Sequence, residues 1–194
     1  MHLDKRLLPP NIEFLLGTDE FGRDVLSRLI YGARVSFSVS IVTVAIAMFI
    51  GVLIGSISGY YSGKVDLILM RFVDIFNSFP YLILAVGIMA VLGRGIDKLM
   101  LALPIIFWVV YARVTRSIVL SLKKMDYVAA AKAFGASDLR ILLHHILINV
   151  VPQTIVIGTF QLGTAIVTET SLSFLGLGVN PPMPSWGNML THAR

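Results

Sequence analysis

The chain has 194 residues, 56% of them hydrophobic and only 14% charged, with a mean hydropathy of +0.83; a soluble domain carries about 25% charged residues, so the composition is that of a membrane protein. The absence of cysteine excludes disulfides and thiolate metal sites. A net charge of +5, carried by basic residues that flank apolar runs, suits membrane lipid as a partner and not nucleic acid.

Residues 1–11 are polar and lack the apolar core of a cleavable signal. Residues 17–34 read as a polar turn and then an amphipathic helix, capped by Thr18 or Asp19, with Val25, Leu26, Leu29 and Ile30 as its apolar side. The glycines here are not a dinucleotide fingerprint, because no strand precedes them. No charged residue occurs from 35 to 63, and a bilayer core of about 30 Å needs roughly 20 apolar residues in a helix, so this is a first span. Gly51, Gly55 and Gly59 stand four apart on one face, which suits either close packing inside the bundle or a contact between copies.

Residues 60–74 are expected to be a short connection carrying Lys64, Asp66, Arg71 and Asp74. The second span is expected over 75–92 with a kink at Pro80, where Asn77 and Ser78 can satisfy freed backbone groups. A polar loop at 93–98 leads to a third span over 99–122, broken at Pro104. Arg113 and Arg116 in its second half must either snorkel to the membrane surface or face protein.

Residues 126–149 are the longest stretch both charged and patterned. An alanine-rich helix over 128–134 ends at Gly135, which accepts the left-handed conformation of a helix C-cap. Ser137 caps a second helix with Asp138 in its first turn, and Leu139, Leu142, Leu143, Ile146 and Leu147 form an apolar stripe. Lys132, Arg140, His144 and His145 make the other face basic. The two histidines are adjacent, and neighbouring residues point about 100° apart on a helix, so no metal site is expected. By spacing alone this is a surface helical hairpin.

The fourth span is expected over 146–168, entered through Asn149 and Pro152 and closed by Glu169. That carboxylate is either buried and paired or just outside the membrane, and it joins Arg113 as a candidate intramembrane polar group. In the remainder Pro181, Pro182 and Pro184 oppose a regular helix, and Trp186 suits a membrane interface. Six Lys/Arg between 113 and 145 predict that this loop is cytoplasmic, although five more lie in residues 1–34 on the opposite side. The expected division is an extracytoplasmic N-terminal segment with an amphipathic helix (1–34), a transmembrane domain (35–172) containing a cytoplasmic loop (123–149), and an extracytoplasmic tail (173–194).

Three stretches carry a resemblance. Ala130-Ala131, three residues, Gly135, nine residues and His145-Ile146-Leu147 resemble the EAA loop of binding-protein-dependent ATP-binding-cassette (ABC) importer permeases, the coupling helix of that family. Ala129 stands where the family usually has glutamate, and Ile148 where it has proline. Residues 17–28, GTDEFGRDVLSR, and the run SLSFLGLG at 171–178 resemble the C-type subunit of dipeptide, oligopeptide and nickel permeases. The resemblance covers nearly the whole chain. It implies an all-α membrane protein, a type I ABC importer permease bundle with about four transmembrane helices here, corresponding to helices two to five of six. The first and last family helices have no counterpart.

The resemblance further implies a multi-pass protein of the inner membrane that helps form the path for peptides or nickel. Its partners would be a second permease subunit, two cassette ATPase subunits and an extracytoplasmic solute-binding protein. ATPase docking would fall to Ala129, Ala130, Ala131, Lys132, Gly135, Ala136, Ser137 and Arg140. The chain carries no Walker A motif, no HExxH and no catalytic constellation, so no catalytic residue or metal ligand is assigned. It is expected not to be an enzyme and to bind no cofactor of its own, with ATP and Mg on the partner ATPases. The alternatives are a stand-alone secondary transporter or channel, which needs an inverted repeat and midplane ionisable groups, or a permease fragment without function.

Overall fold

The computed structural model describes residues 3–180 and 182–192, and apart from one turn of 3-10 helix at Leu3–Lys5 its regular structure is α-helical or π-helical. Helix α1, Val25–Tyr61, runs unbroken for 37 residues. At 1.5 Å per residue it is about 55 Å long, well beyond the bilayer core. The expected boundary between residues 34 and 35 therefore falls inside a continuous helix. Its cap is Asp24, whose carboxylate accepts the Ser27 N–H at 3.0 Å, and not Thr18 or Asp19. Those two hold the preceding loop: Thr18 Oγ1 accepts the Leu8 N–H and donates to the Lys5 carbonyl, while Asp19 accepts N–H groups from Phe21 and Arg23. Leu29 and Ile30, on the expected apolar side, are exposed.

Helix α2, Gly63–Asn77, occupies what the sequence suggests is a connection. It ends at residues 78–80 and helix α3, Tyr81–Leu92, leaves at 84° to it. The expected single span over 75–92 is thus two arms of a sharp bend. Proline lacks the N–H that would continue the ladder and keeps Phe79 out of the helical region. The twelve residues of α3 reach only about 18 Å, too short to span alone.

Pro104 breaks far less than expected. Helices α4, Ile96–Ala102, and α5, Pro104–Leu122, are joined through Leu103 in helical geometry, with Leu103 N–H bonded to Leu99 and Phe107 N–H to Leu103. A proline at the first position of a helix loses only an N–H that has no intrahelical partner there. Two short helices follow, α6, Asp126–Ala133, and α7, Asp138–Ile141. A π turn at Leu142–Ile146 leads into α8, Leu147–Phe174, so 138–174 form one long helical rod. Helix α9, Trp186–His192, closes the chain after the prolines; Pro181 lies outside the described residues.

Among the described residues three helical runs, Val25–Tyr61, Ile96–Leu122 and Asp138–Phe174, are long and apolar enough to cross a membrane, and the bent α2–α3 pair makes a fourth if it counts as one span. The centre of the bundle is the contact of α1 with α5. A Cβ on Gly51 or Gly55 would collide with Tyr111 or with the Ala112 carbonyl, and one on Gly59 would sit 2.9 Å from the Arg116 carbonyl. The small-residue face of α1 is thus filled by α5 of the same chain, and backbone-close packing of this kind takes the place of the hydrophobic drive that lipid cannot supply. Phe49, Ile83, Val91 and Phe160 point outward, as lipid permits.

One core cluster lies among α1, α2, α3, α4, α5 and α8 and includes Val39, Val73, Met89, Leu103, Trp108 and Leu172. A second, smaller one joins Tyr60 and Val119 to Val128, Ile141, Leu142, Ile146 and Val150. It fastens the α6–α7 loop to the end of the bundle where α1 finishes. At the other end, Trp186 Nε1 donates to the Leu29 carbonyl and Gly95 N–H to the Gly178 carbonyl.

Candidate functional site: the exposed helical loop

The loop is built by local rules. Helix α6 terminates in a Schellman arrangement: Ala136 N–H bonds to the Ala131 carbonyl and Gly135 N–H to the Lys132 carbonyl, both at 3.0 Å. Gly135 supplies the required left-handed residue, with φ of +81°. The chain then turns into α7, where Ser137 is extended and its Oγ accepts the Arg140 N–H at 3.4 Å. Glycine and serine do what their positions in the sequence suggest.

The eight residues singled out divide by direction. Ala131 and Ala136 are half-buried and pack against the second core cluster. Ala129, Ala130, Lys132, Gly135, Ser137 and Arg140 are exposed. Two apolar side chains stand among them, Phe134 at 92% exposure, which the patterning did not pick out, and Leu139 at 63%. The signal for Phe134 was its place as the last residue before the glycine turn, where a side chain projects off the helix end. Leu139 and Leu143 belong to the predicted buried stripe yet face outward, while Ile141, Leu142, Ile146 and Val150 are buried. A π turn, closed by the Leu147 N–H to the Leu142 carbonyl, lies within this stretch, and its wider winding suits the five-residue step between the buried Ile141 and Ile146.

The loop is tied to the bundle by polar contacts as well. Tyr60 Oη donates to Asp138 Oδ1 at 2.6 Å, and Lys123 Nζ donates to the Tyr60 carbonyl. Tyr127 Oη reaches the His145 carbonyl at 3.4 Å. None of these was marked by spacing, since each joins residues far apart in the chain or depends on the turn geometry.

The intramembrane candidates do not meet. Arg113 pairs with Asp74 of α2 at 2.7 Å, and Arg116 holds Asp66 of the same helix with two N–H groups, at 2.5 and 2.6 Å. Both arginines therefore face protein carboxylates. Glu169 is fully buried and accepts hydroxyl donations from Ser36 at 2.9 Å and Ser173 at 2.8 Å. Ser36 lies 24 residues before Tyr60 on α1, so Glu169 and the loop sit about 36 Å apart, at opposite ends of the bundle.

A cavity of about 360 Å³ opens at the bend between α2 and α3, with Asn77, Gln161 and Thr164 set among Phe79, Tyr81 and Phe107. Among the described residues no three His, Asp or Glu side chains converge on a common point.

A bundle of helices long and apolar enough to cross a membrane, carrying an exposed helix–glycine–helix loop at its end, defines a multi-pass integral membrane protein. Residues 51–193 match the family described as binding-protein-dependent transport system inner membrane component, and the chain belongs to that family. It is 42% identical over 189 residues to the dipeptide transport system permease protein DppC of Alkalihalophilus pseudofirmus, covering 97% of this chain and 62% of the relative. To the glutathione transport system permease protein GsiD of Pectobacterium atrosepticum it is 40% identical over 185 residues, 95% of this chain and 62% of the relative. The DppC protein of Bacillus subtilis is 41% identical over 187 residues, with 96% and 58% covered. The chain thus spans about three fifths of the length of the curated relatives it matches.

Proposed function

We propose that the chain forms part of a transmembrane permease subunit of an ATP-driven importer. It contributes to a translocation path and couples that path to cassette ATPases through residues 123–149. Ala129, Ala130, Lys132, Gly135, Ser137 and Arg140 meet the ATPase, with Phe134 and Leu139 as apolar anchors, while Ala131 and Ala136 seat the loop from behind. The observation that carries this reading is the glycine turn. It presents two short helices and the exposed Phe134 at one end of the bundle, beyond the apolar spans.

Chemistry on this chain is not required; ATP and Mg belong to the ATPases, and the loop transmits their movement. The loop end is cytoplasmic in this reading, and the end carrying Glu169, α9 and residues 93–95 is extracytoplasmic. A second permease subunit covers the outward apolar faces, and a solute-binding protein delivers cargo. Peptides are the favoured cargo class, since the relatives are named for dipeptide and glutathione transport, and nickel remains the alternative. The cavity at the α2–α3 bend, aromatic with a few amide and hydroxyl groups, suits a peptide.

Ser137→Cys tests the reading. Cross-linking of that cysteine to the ATPase in membranes is expected, together with resistance to an impermeant maleimide added outside intact cells. Labelling from outside overturns it.

A further inference from the structure

Both ends of the exposed loop close on one residue of α1. Lys123, where α5 leads into the loop, donates through Nζ to the Tyr60 carbonyl, and its ammonium lies 5.5 Å from the centre of the Tyr60 ring. Asp138, where the loop leads into the long C-terminal rod, accepts the Tyr60 hydroxyl at 2.6 Å. Tyr60 itself is 6% exposed and lies in the core cluster that contains Val128 of α6 and Ile141 of α7. Two residues back on α1, Ser58 donates to Asp66 at 2.5 Å, the carboxylate that Arg116 grips from α5. A displacement of the loop is therefore delivered at the C-terminal end of α1, next to the points where α1, α2 and α5 are joined.

Apolar packing alone resists separation but has little directionality, whereas a hydrogen bond to a carboxylate fixes both distance and angle. From this geometry we infer that Tyr60 and Asp138 are the positioning pair that makes α1 follow the loop. Their hydrogen bond converts ATPase-driven movement of residues 126–141 into movement of the spans. This rests on the reading of the loop as the ATPase-docking element and names the residues that act behind it. Neither side chain is needed to touch the ATPase or the cargo.

The test uses the assembled transporter in native membranes, with uptake of a labelled dipeptide and ATP hydrolysis measured together. Tyr60→Phe removes one oxygen atom and leaves the ring in its cluster, and Asp138→Ala removes the acceptor. Each is expected to lower dipeptide taken up per ATP hydrolysed about tenfold, the scale of one hydrogen bond to a charged group. The double variant should be no worse than either single one, since both remove the same bond. Asp138→Asn, which keeps an acceptor oxygen but loses the charge, should lie between the parent and Asp138→Ala. Cross-linking from Ser137→Cys to the ATPase should persist in the Tyr60→Phe background. Persistent cross-linking with an unchanged ratio overturns the positioning role alone. Absence of the cross-link in the parent background overturns the docking reading and this one with it.

Discussion

Arg116 on α5 and Asp66 on α2 lie fifty residues apart in the chain and form a two-pronged ion pair, Nε to Oδ1 at 2.5 Å and Nη2 to Oδ2 at 2.6 Å, with Ser58 of α1 donating to the same carboxylate. Three helices are joined at one point. The pair is partly shielded, with Asp66 17% and Arg116 34% exposed. Removing one partner leaves the other charge poorly compensated. Asp66→Ala is expected to lower stability in detergent by about 2 kcal/mol, and a cycle with Arg116→Gln should show coupling of at least ~1 kcal/mol. Thermal unfolding of the four proteins checks this; additive losses would show the pair to be energetically idle.

The glycine face of α1 makes a sharper contrast. A Cβ at Gly55 would collide with the Ala112 carbonyl and lie 2.8 Å from Thr115 Cβ, whereas one at Gly163 on α8 meets nothing within 4 Å. Gly55→Leu should therefore force α1 from α5 and cost about 3 kcal/mol or prevent assembly. Gly163→Ala should be neutral or gain up to about 1 kcal/mol from helix propensity. Protein level in the membrane and melting temperature report both, and equal behaviour of the two variants would contradict the packing described.

Gly135 differs from both, because its surroundings are open but its φ is +81°. Any Cβ there costs on the order of 1 kcal/mol from backbone conformation alone. Gly135→Val should loosen residues 126–137 in hydrogen exchange while the spans stay protected. If the loop docks as proposed, that variant also separates uptake from ATP hydrolysis, and Ala129→Glu strengthens ATPase retention on purification. Full uptake and full ATPase retention by Gly135→Val would leave the loop as a surface hairpin without a coupling role.

Glu169 links the segment after α8 to the start of α1 through two serines. Its two oxygens take the hydroxyls of Ser36 and Ser173, which in turn face the Trp186 N–H at 3.5 Å and the Val179 N–H at 3.4 Å. Replacing the carboxylate by an apolar group strips acceptors from two buried hydroxyls, at about 1–3 kcal/mol. In a Glu169→Leu background, a cysteine at the buried Ser185 should react with maleimide on the order of tenfold faster, while Glu169→Gln, which keeps one acceptor, should lie between. Unchanged reactivity would mean that apolar packing alone retains residues 175–192.

Much of this molecule was legible from residue order. The apolar runs, the alanine helix ending at Gly135, the Ser137 cap and the stretch free of charge after Val35 are consequences of local chemistry. Backbone hydrogen bonding in lipid and the conformational freedom of glycine act within a few residues. What only the tertiary structure decided is direction and partnership. Pro80 marked a kink, but not its size, which is 84° between α2 and α3. The π turn at Leu142–Ile146 carries no residue signature of its own, and neither does the outward direction of Leu139 and Leu143. The ties of Arg116 to Asp66, Tyr60 to Asp138 and Glu169 to Ser36 join residues 50, 78 and 133 positions apart. In a soluble helix, polarity tells the inward face from the outward one. Here lipid and core are equally apolar, so inward and outward faces read alike until the helices are packed.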